Sequence, residues 1–327
     1  MAKLVTIFGG SGFVGRYIAR RMAKQGWRVR VAVRRPNEAL FVKTYGVVGQ
    51  VEPILCNIRN DASVDEALNG ADAAVNCVGI LIEEKKNTFS AIQHSGAERI
   101  GRLSKKHGIK SLVHISAIGA DENSKSIYSS TKAKGENAIV SNFPNAIILR
   151  PSIVFGQEDQ FFNRFAKMAT MAPFLPLVGA NTRFQPVFVD DVAKAAEAAL
   201  LGSVQEGTYE LGGPEIKDFR ELMIDMLRII KRRRLIINTP RFIAKLIAFG
   251  LSTLQLFTLG LFKNSIITKD QIENLGIDNI VSEQAKGFKN LNVDPLDMGS
   301  VLPEYLWRYR PSGQYDAIKD SAKNLRS

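Results

Sequence analysis

For about the first half of the chain, short apolar runs alternate with longer amphipathic stretches. Leu4–Phe8 is nearly continuous in apolar residues, the pattern of a strand covered on both faces. Phe13, Val14, Tyr17, Ile18 and Met22 then recur at helical spacing, and Gly26 closes that helix. Residues 29–33, 51–56, 73–78, 112–115 and 146–149 read as further strands, and 62–68, 90–107 and 128–140 as helices. Regular alternation of this kind predicts an α/β fold: a Rossmann doubly wound parallel sheet with helices on both faces. Beyond Pro151 the pattern loosens. Residues 161–171, 189–201 and 219–231 read as helices, and 187–189 and 208–211 as short strands. The expected organisation is a doubly wound core over 1–155, a smaller lobe over 156–315 interleaved with it, and a polar tail over 316–327.

Where the first strand meets the first helix the chain reads Gly9-Gly10-Ser11-Gly12-Phe13-Val14-Gly15. Glycines spaced three apart suit a dinucleotide fingerprint. Gly9 allows a sharp turn, Gly12 lets the backbone approach a pyrophosphate, and Gly15 lets the helix pack closely. The first amides of that helix then face the phosphate charge. The second strand ends at Arg34 and Arg35, where an NAD site usually carries a carboxylate for the ribose 2′-hydroxyl. Guanidinium groups pair with a 2′-phosphate, so NADP(H) is favoured, with NAD(H) left open. From Met1 to Asn37 every charged side chain is Lys or Arg. This basic edge is broader than one phosphate requires.

The 327 residues carry a formal net charge of +12, which favours anionic partners. No helix-turn-helix, zinc-finger or aromatic-basic RNA signature is visible, so nucleic acid is not expected. Cys56 and Cys77, both in apolar contexts, read as free thiols of a reducing compartment, and no Cys/His cluster suggests a metal. The first strand begins too early for a leader, so the expected location is cytoplasmic.

The fifth strand ends in Ser116, and Tyr128 and Lys132 follow at helical i, i+4 spacing. A phenol with a pKa of about 10 is a weak acid-base catalyst near neutrality. A neighbouring ammonium stabilises its phenolate. Ser116 could hold a carbonyl, Tyr128 exchange the hydroxyl proton and Lys132 hold a ribose, all around a nicotinamide hydride.

Gly9-x-x-Gly12-x-x-Gly15, Asn76-Cys77-Val78-Gly79, Ser116 and Tyr128-x-x-x-Lys132 together resemble the short-chain dehydrogenase/reductase superfamily, in its extended or atypical branch. Three further stretches narrow the resemblance: Arg150 through Asp159, Gln185 through Val192, and Ile267 through Gln271. They look like the subgroup that contains the NADPH-binding 39 kDa accessory subunit of respiratory complex I. The resemblance implies tightly held NADPH with its 2′-phosphate near Arg34 and Arg35. It extends the cofactor wall to Asn57, Ile58, Val78, Gly79, Pro151, Ser152 and Ile153. It also implies a respiratory-complex protein partner or an anionic membrane surface, with the protein peripheral on the inner face of the inner membrane. Two positions depart from the superfamily pattern. Asn57 stands where Asp is common, and Gln93-His94 occupies the region of a relay Asn, with His94 a possible substitute relay group.

Lys231-Arg232-Arg233-Arg234 and the apolar run from Phe242 to Phe262 leave three readings. The run is too interrupted to span a membrane. It is a buried helical pair, an interfacial segment on anionic lipid, or a docking surface. Trp307-Arg308-Tyr309-Arg310 is either a surface patch or a segment folded back on the core. Functionally, a nucleotide-retaining subunit stands first. A working oxidoreductase on a small apolar carbonyl or hydroxyl stands second, and a sugar-nucleotide epimerase third.

Overall fold

The structure is a computed structural model and describes residues 2–240, 242, 270, 273 and 275–315. The chain forms two compact units. The first takes 1–152, 189–212 and 281–295, and the second takes 153–188, 213–280 and 296–327.

The first six strands are β1 (Leu4–Phe8), β2 (Arg28–Val33), β3 (Val51–Leu55), β4 (Ala73–Asn76), β5 (Ser111–Ile115) and β6 (Ile147–Pro151). Four short strands of the second unit follow: β7 (Val154–Phe155), β8 (Phe174–Leu177), β9 (Arg183–Phe184) and β10 (Val187–Phe188). β11 (Gly207–Leu211) returns to the first unit, and β12 (Lys217–Asp218) and β13 (Leu235–Asn238) belong to the second. The helices are α1 (Phe13–Lys24), α2 (Asp61–Leu68), α3 (Ser95–Lys106), α4 (Ile127–Asn142), α5 (Phe162–Met171), α6 (Val189–Leu200), α7 (Phe219–Ile229) and α8 (Met298–Leu306).

In the first unit seven strands pair in the order β11-β6-β5-β4-β1-β2-β3, every pair parallel. This is the doubly wound sheet that the alternating pattern predicts. Phe8, Ala74, Leu112 and Ile148 share one face of it and pack with Val64, Leu68, Ile100 and Ile139 from α2, α3 and α4. α1 and α6 are joined by Arg21, whose guanidinium reaches Asp190 at 2.6 Å and Glu197 at 2.8 Å.

Several local expectations change. The strand read over 73–78 stops at Asn76, whose Oδ1 accepts from the Val78 amide at 3.0 Å and turns the chain out of the sheet. The helix read over 90–107 opens with a π-helical turn, Ser90–His94, before α3 begins. Val189, read both as the end of a strand and as the start of a helix, starts α6, and the strand before it stops at Phe188. Pro36–Tyr45 is a 3-10 segment with only Ala39 and Val42 buried, too weakly periodic to show in the pattern.

The core of the second unit joins α5, α7 and α8 through Phe162, Phe219, Leu222, Met226 and Leu302. Asp159 is buried within it. Its carboxylate accepts from the amides of Gly156, Phe161 and Asn163 and from the Tyr305 hydroxyl. Trp307–Tyr309 and the following residue fold back on this unit. Arg308 donates to the carbonyls of Tyr305 and Gln157, and Arg310 donates to that of Ile229. Within the basic cluster at 231–234, Arg232 donates to Tyr309 O at 2.8 Å and Arg234 to Ala169 O at 2.7 Å. These two cations therefore serve the unit's own backbone. The apolar run 243–262, most of the 267–271 motif and the polar tail 316–327 lie outside the described residues. Among the described residues no helix is long and apolar enough to cross a membrane.

Candidate functional site

Parallel pairing brings the carboxyl ends of all seven strands to one edge, and the strand order reverses between β1 and β4. Open α/β sheets bind ligands at such a switch point. The chain leaves β1 there through Gly9, at φ +74°. A Cβ on Gly9 would also lie 3.3 Å from Cys77 O and 3.2 Å from Val78 Cγ2. The Gly9 amide donates to Ala32 O at 2.9 Å, tying the turn to β2. Gly15 is buried. A Cβ on it would meet Gly10 Cα at 2.7 Å and Gly9 O closer still, so α1 lies against the turn only with glycine here. Gly12 caps α1 with extended backbone, no side-chain cap and no acidic residue in the first turn. The opening amides of α1, from Phe13, Val14 and Gly15, and the positive end of its dipole are thus available to an anion. Ser11 sits half-buried inside the turn.

Arg34 and Arg35 lie exposed just past β2, with Arg35 reaching Glu38 at 3.1 Å. At the end of β3, Asn57 Oδ1 accepts from the Arg59 amide at 3.1 Å, forming an Asx turn. Asp would build the same turn, so the departure at this position leaves the backbone intact. Ile58 is buried in the core cluster, packed where a Cβ on Gly96 would come within 2.7 Å of it. Past β4, Gly79 is exposed, and a Cβ there would lie 3.5 Å from Lys132 Nζ.

α4 is started by Ser126, whose hydroxyl accepts from the Ser129 amide. It carries Lys132 inward, where Nζ is buried and donates to Ile115 O at 3.0 Å. Burial lowers the pKa of this ammonium to about 8, against the opposing pull of Glu136 and Cys77. Tyr128, one turn earlier, is half-buried with its ring edge-on to Phe89 at 6.0 Å. Ser116 follows Ile115 directly. It is buried, and its Oγ has no hydrogen-bond partner among the described residues. A buried hydroxyl left unsatisfied by the protein fits service to a bound group. Pro151 and Ser152 close the same edge, with Pro151 O accepting from Ile118 N and Ser152 N donating to Leu211 O. Ile153 opens the second unit.

Sequence reasoning assigned no role to His114. Its Nδ1 lies 3.1 Å from Asn76 Nδ2, and the Asn76 amide is oriented by its Oδ1 accepting from Val78 N. The amide nitrogen donates, so Nδ1 accepts and the ring proton sits on Nε2. Burial, reinforced by Lys132, pushes the imidazole pKa down to about 3. Gln93 donates to Ile80 O at 2.9 Å and accepts from Thr131 Oγ1 at 2.7 Å, tying the π-helical turn to α4. His94 lies half-buried at the end of that turn. Burial raises the Cys77 thiol to about 12, and both cysteines are free.

A turn shaped for a pyrophosphate, an open helix start, a buried lysine and a partnerless serine hydroxyl all fit a dinucleotide. Residues 5–212 match the NAD dependent epimerase/dehydratase family. The chain belongs to that family. This family member is 34% identical over 329 residues to the mitochondrial NADH dehydrogenase [ubiquinone] 1 alpha subcomplex subunit 9 of Arabidopsis thaliana, covering 95% of this chain and 79% of that protein. It is 32% identical over 322 residues to the mitochondrial NADH-ubiquinone oxidoreductase 40 kDa subunit of Neurospora crassa, covering 98% and 83%. Among solved structures, the crystal structure of gox2253 superposes with a TM-score of 0.70 at 19% identity, covering 95% of this chain and 99% of that one. That likeness speaks for the fold.

Proposed function

We propose that this protein retains a nicotinamide dinucleotide, NADP(H) in preference to NAD(H), as a subunit-type partner of a respiratory NADH:ubiquinone oxidoreductase. The nucleotide stabilises the fold or reports redox state. The observation that carries the reading is the glycine turn, closed to any side chain at Gly15 and open to an anion at the start of α1. Arg34 and Arg35, exposed beyond β2, support the 2′-phosphate preference. The complex I names of two relatives that align with nearly the whole chain support the partner. On this reading the protein is peripheral at the inner face of the inner membrane, held by a respiratory-complex protein or by anionic lipid. Gly9, Ser11, Gly12, Phe13, Val14, Gly15, Val78, Gly79, Pro151 and Ser152 border the nucleotide.

A second reading, a working oxidoreductase on a small apolar carbonyl or hydroxyl, is favoured by the partnerless Ser116 Oγ beside the buried Lys132. A bound nicotinamide supplies the hydride. Ser116 then holds the carbonyl oxygen, Tyr128 exchanges the hydroxyl proton, and Lys132 holds the ribose and favours the phenolate.

Arg34→Asp and Tyr128→Phe test both readings together. Arg34→Asp should weaken NADPH at least about tenfold more than NADH, and equal loss removes the 2′-phosphate assignment. Tyr128→Phe should keep both nucleotide and respiratory activity. Lost activity with the nucleotide still bound moves the conclusion to the oxidoreductase.

A further inference from the structure

Between β2 and β3 four apolar side chains face solvent: Leu40, Phe41, Val47 and Val48. Val47 is 74% exposed and Val48 105%, so both stand clear of the fold at the tip formed by residues 46–49. β3 is the last strand of its sheet, and its final residue, Leu55, is exposed as well. Apolar side chains gathered in this way on a surface mark a place of contact.

Fixed contacts hold the segment along α1. At the start of α1 the Arg16 guanidinium lies 4.8 Å from the ring centroid of Phe41, while its Nη2 donates to Ser11 O at 3.0 Å. At the far end Gln50 Nε2 donates to Ala23 O at 2.6 Å and to Trp27 O at 3.0 Å. Gln50 Oε1 accepts from the Val47 amide at 2.9 Å, and Gly49 bends the chain at φ +78°. The tip therefore sits beside the last turn of α1.

Cations surround it. Arg20 and Lys24 follow Arg16 at i+4 and i+8 on α1, and Lys43 lies within the segment. All three are exposed, with no ion pair among the described residues. Arg16 is engaged by the turn and is not one of them. Between Met1 and Gln50 the one acidic residue is Glu38, which Arg35 reaches at 3.1 Å. Glu52 follows on β3, and the cations outnumber it.

We propose that this surface, with Val47 and Val48 at its tip and Arg20, Lys24 and Lys43 around it, docks on an anionic lipid bilayer. The inference rests on the peripheral reading above, choosing lipid and naming the face; nucleotide chemistry plays no part in it. A bilayer accepts apolar side chains that stand out singly, because acyl chains close around them without a matching pocket. Its phosphates answer cations in any arrangement. A protein partner would need a cleft for the tip and acids at set positions.

The test is sedimentation of the full chain with vesicles of equimolar phosphatidylcholine and phosphatidylserine, and with vesicles of phosphatidylcholine alone. The parent protein should sediment with the first and not the second, and should release as salt is raised. Each cation near an anionic surface is worth roughly fivefold in partition, so Arg20→Gln, Lys24→Gln and Lys43→Gln combined should weaken binding about 100-fold. Val47→Ser with Val48→Ser should weaken it at least about tenfold. These positions are exposed, so Tm should stay close to that of the parent protein. Val48→Trp reads insertion directly: lipids brominated in their acyl chains should quench its emission beyond the level that Trp27 and Trp307 give in the parent protein. Parent-like binding by both combined variants, or no added quenching, overturns this face as the docking surface and leaves the peripheral reading in place. Equal binding of the parent protein to both kinds of vesicle overturns the charge complementarity on which the proposal stands. A parent protein that ignores both overturns the proposal together with the lipid form of that reading, and points to a protein on this face instead.

Discussion

His114 is the polar side chain in an otherwise apolar run, 112–115, at the centre of the sheet. It is tolerated because Asn76 stands directly across from it on β4 and donates to its ring. Its Nε2 has no partner among the described residues, and such a buried donor costs about 1–3 kcal/mol. Its pKa of about 3 makes the ring a source of acid lability. Below pH ~6.5 the unfolded chain takes up a proton here that the folded chain refuses, so stability is complete above that pH and falls as the pH drops toward 3. The expected slope is about 1.4 kcal/mol per pH unit from this group. His114→Gln, which keeps an acceptor for Asn76, should flatten that part of a urea-unfolding profile measured from pH 7 to pH 4. An unchanged slope would assign the acid lability elsewhere. At this scale Gly9, Gly12, Gly15, Ser116 and Lys132 are legible in sequence, because their chemistry needs a residue type at a set spacing. The Asn76–His114 pair is not, because it depends on strand register across a separation of 38 residues.

α4, β6 and β11 are joined by one charged group. Arg150 on β6 reaches Glu136 on α4 at 2.6 Å and Glu210 on β11 at 3.6 Å. Glu210 in turn accepts from the Ser282 amide at 2.8 Å. Both carboxylates are buried, so Arg150→Met strands them without a counter-charge. Loss of one partner of a buried pair costs about 3–5 kcal/mol. The partial exposure of Arg150 places the expectation at the lower end, about 3 kcal/mol, read from denaturant midpoints. A loss below about 1 kcal/mol would show the group to be solvent-screened. The long elements were legible because their apolar spacing repeats over several turns or alternations. β7, β9 and β12 are two residues each, too short for any period, and Pro36–Tyr45 buries too little to mark a face.

The nucleotide-binding unit is assembled from three separate pieces of chain, and its edge strand β11 arrives only after an excursion through the second unit. A ligand that binds only the folded sheet edge stabilises all three pieces at once. NADPH at 100 times its Kd should add about 2.7 kcal/mol, seen as a rise in Tm. NADH at the same concentration should add clearly less. No shift with either nucleotide would remove dinucleotide binding as the role of this edge.

The sequence by itself determined the strand–helix alternation, the glycine turn between β1 and α1, the arginines beyond β2, and the Ser-Tyr-Lys spacing. Each is a local pattern, set by residues within a few positions of one another. The tertiary structure alone decided which groups became neighbours across the sheet. It buried Lys132 against Ile115 O, faced His114 with Asn76, seated Ile58 in the core, and drew Arg16 over the turn beneath Phe41. Those pairings depend on parallel register and on helix placement over long separations. The buried surroundings that shift the pKa values of Lys132 and His114 exist only once the chain has folded.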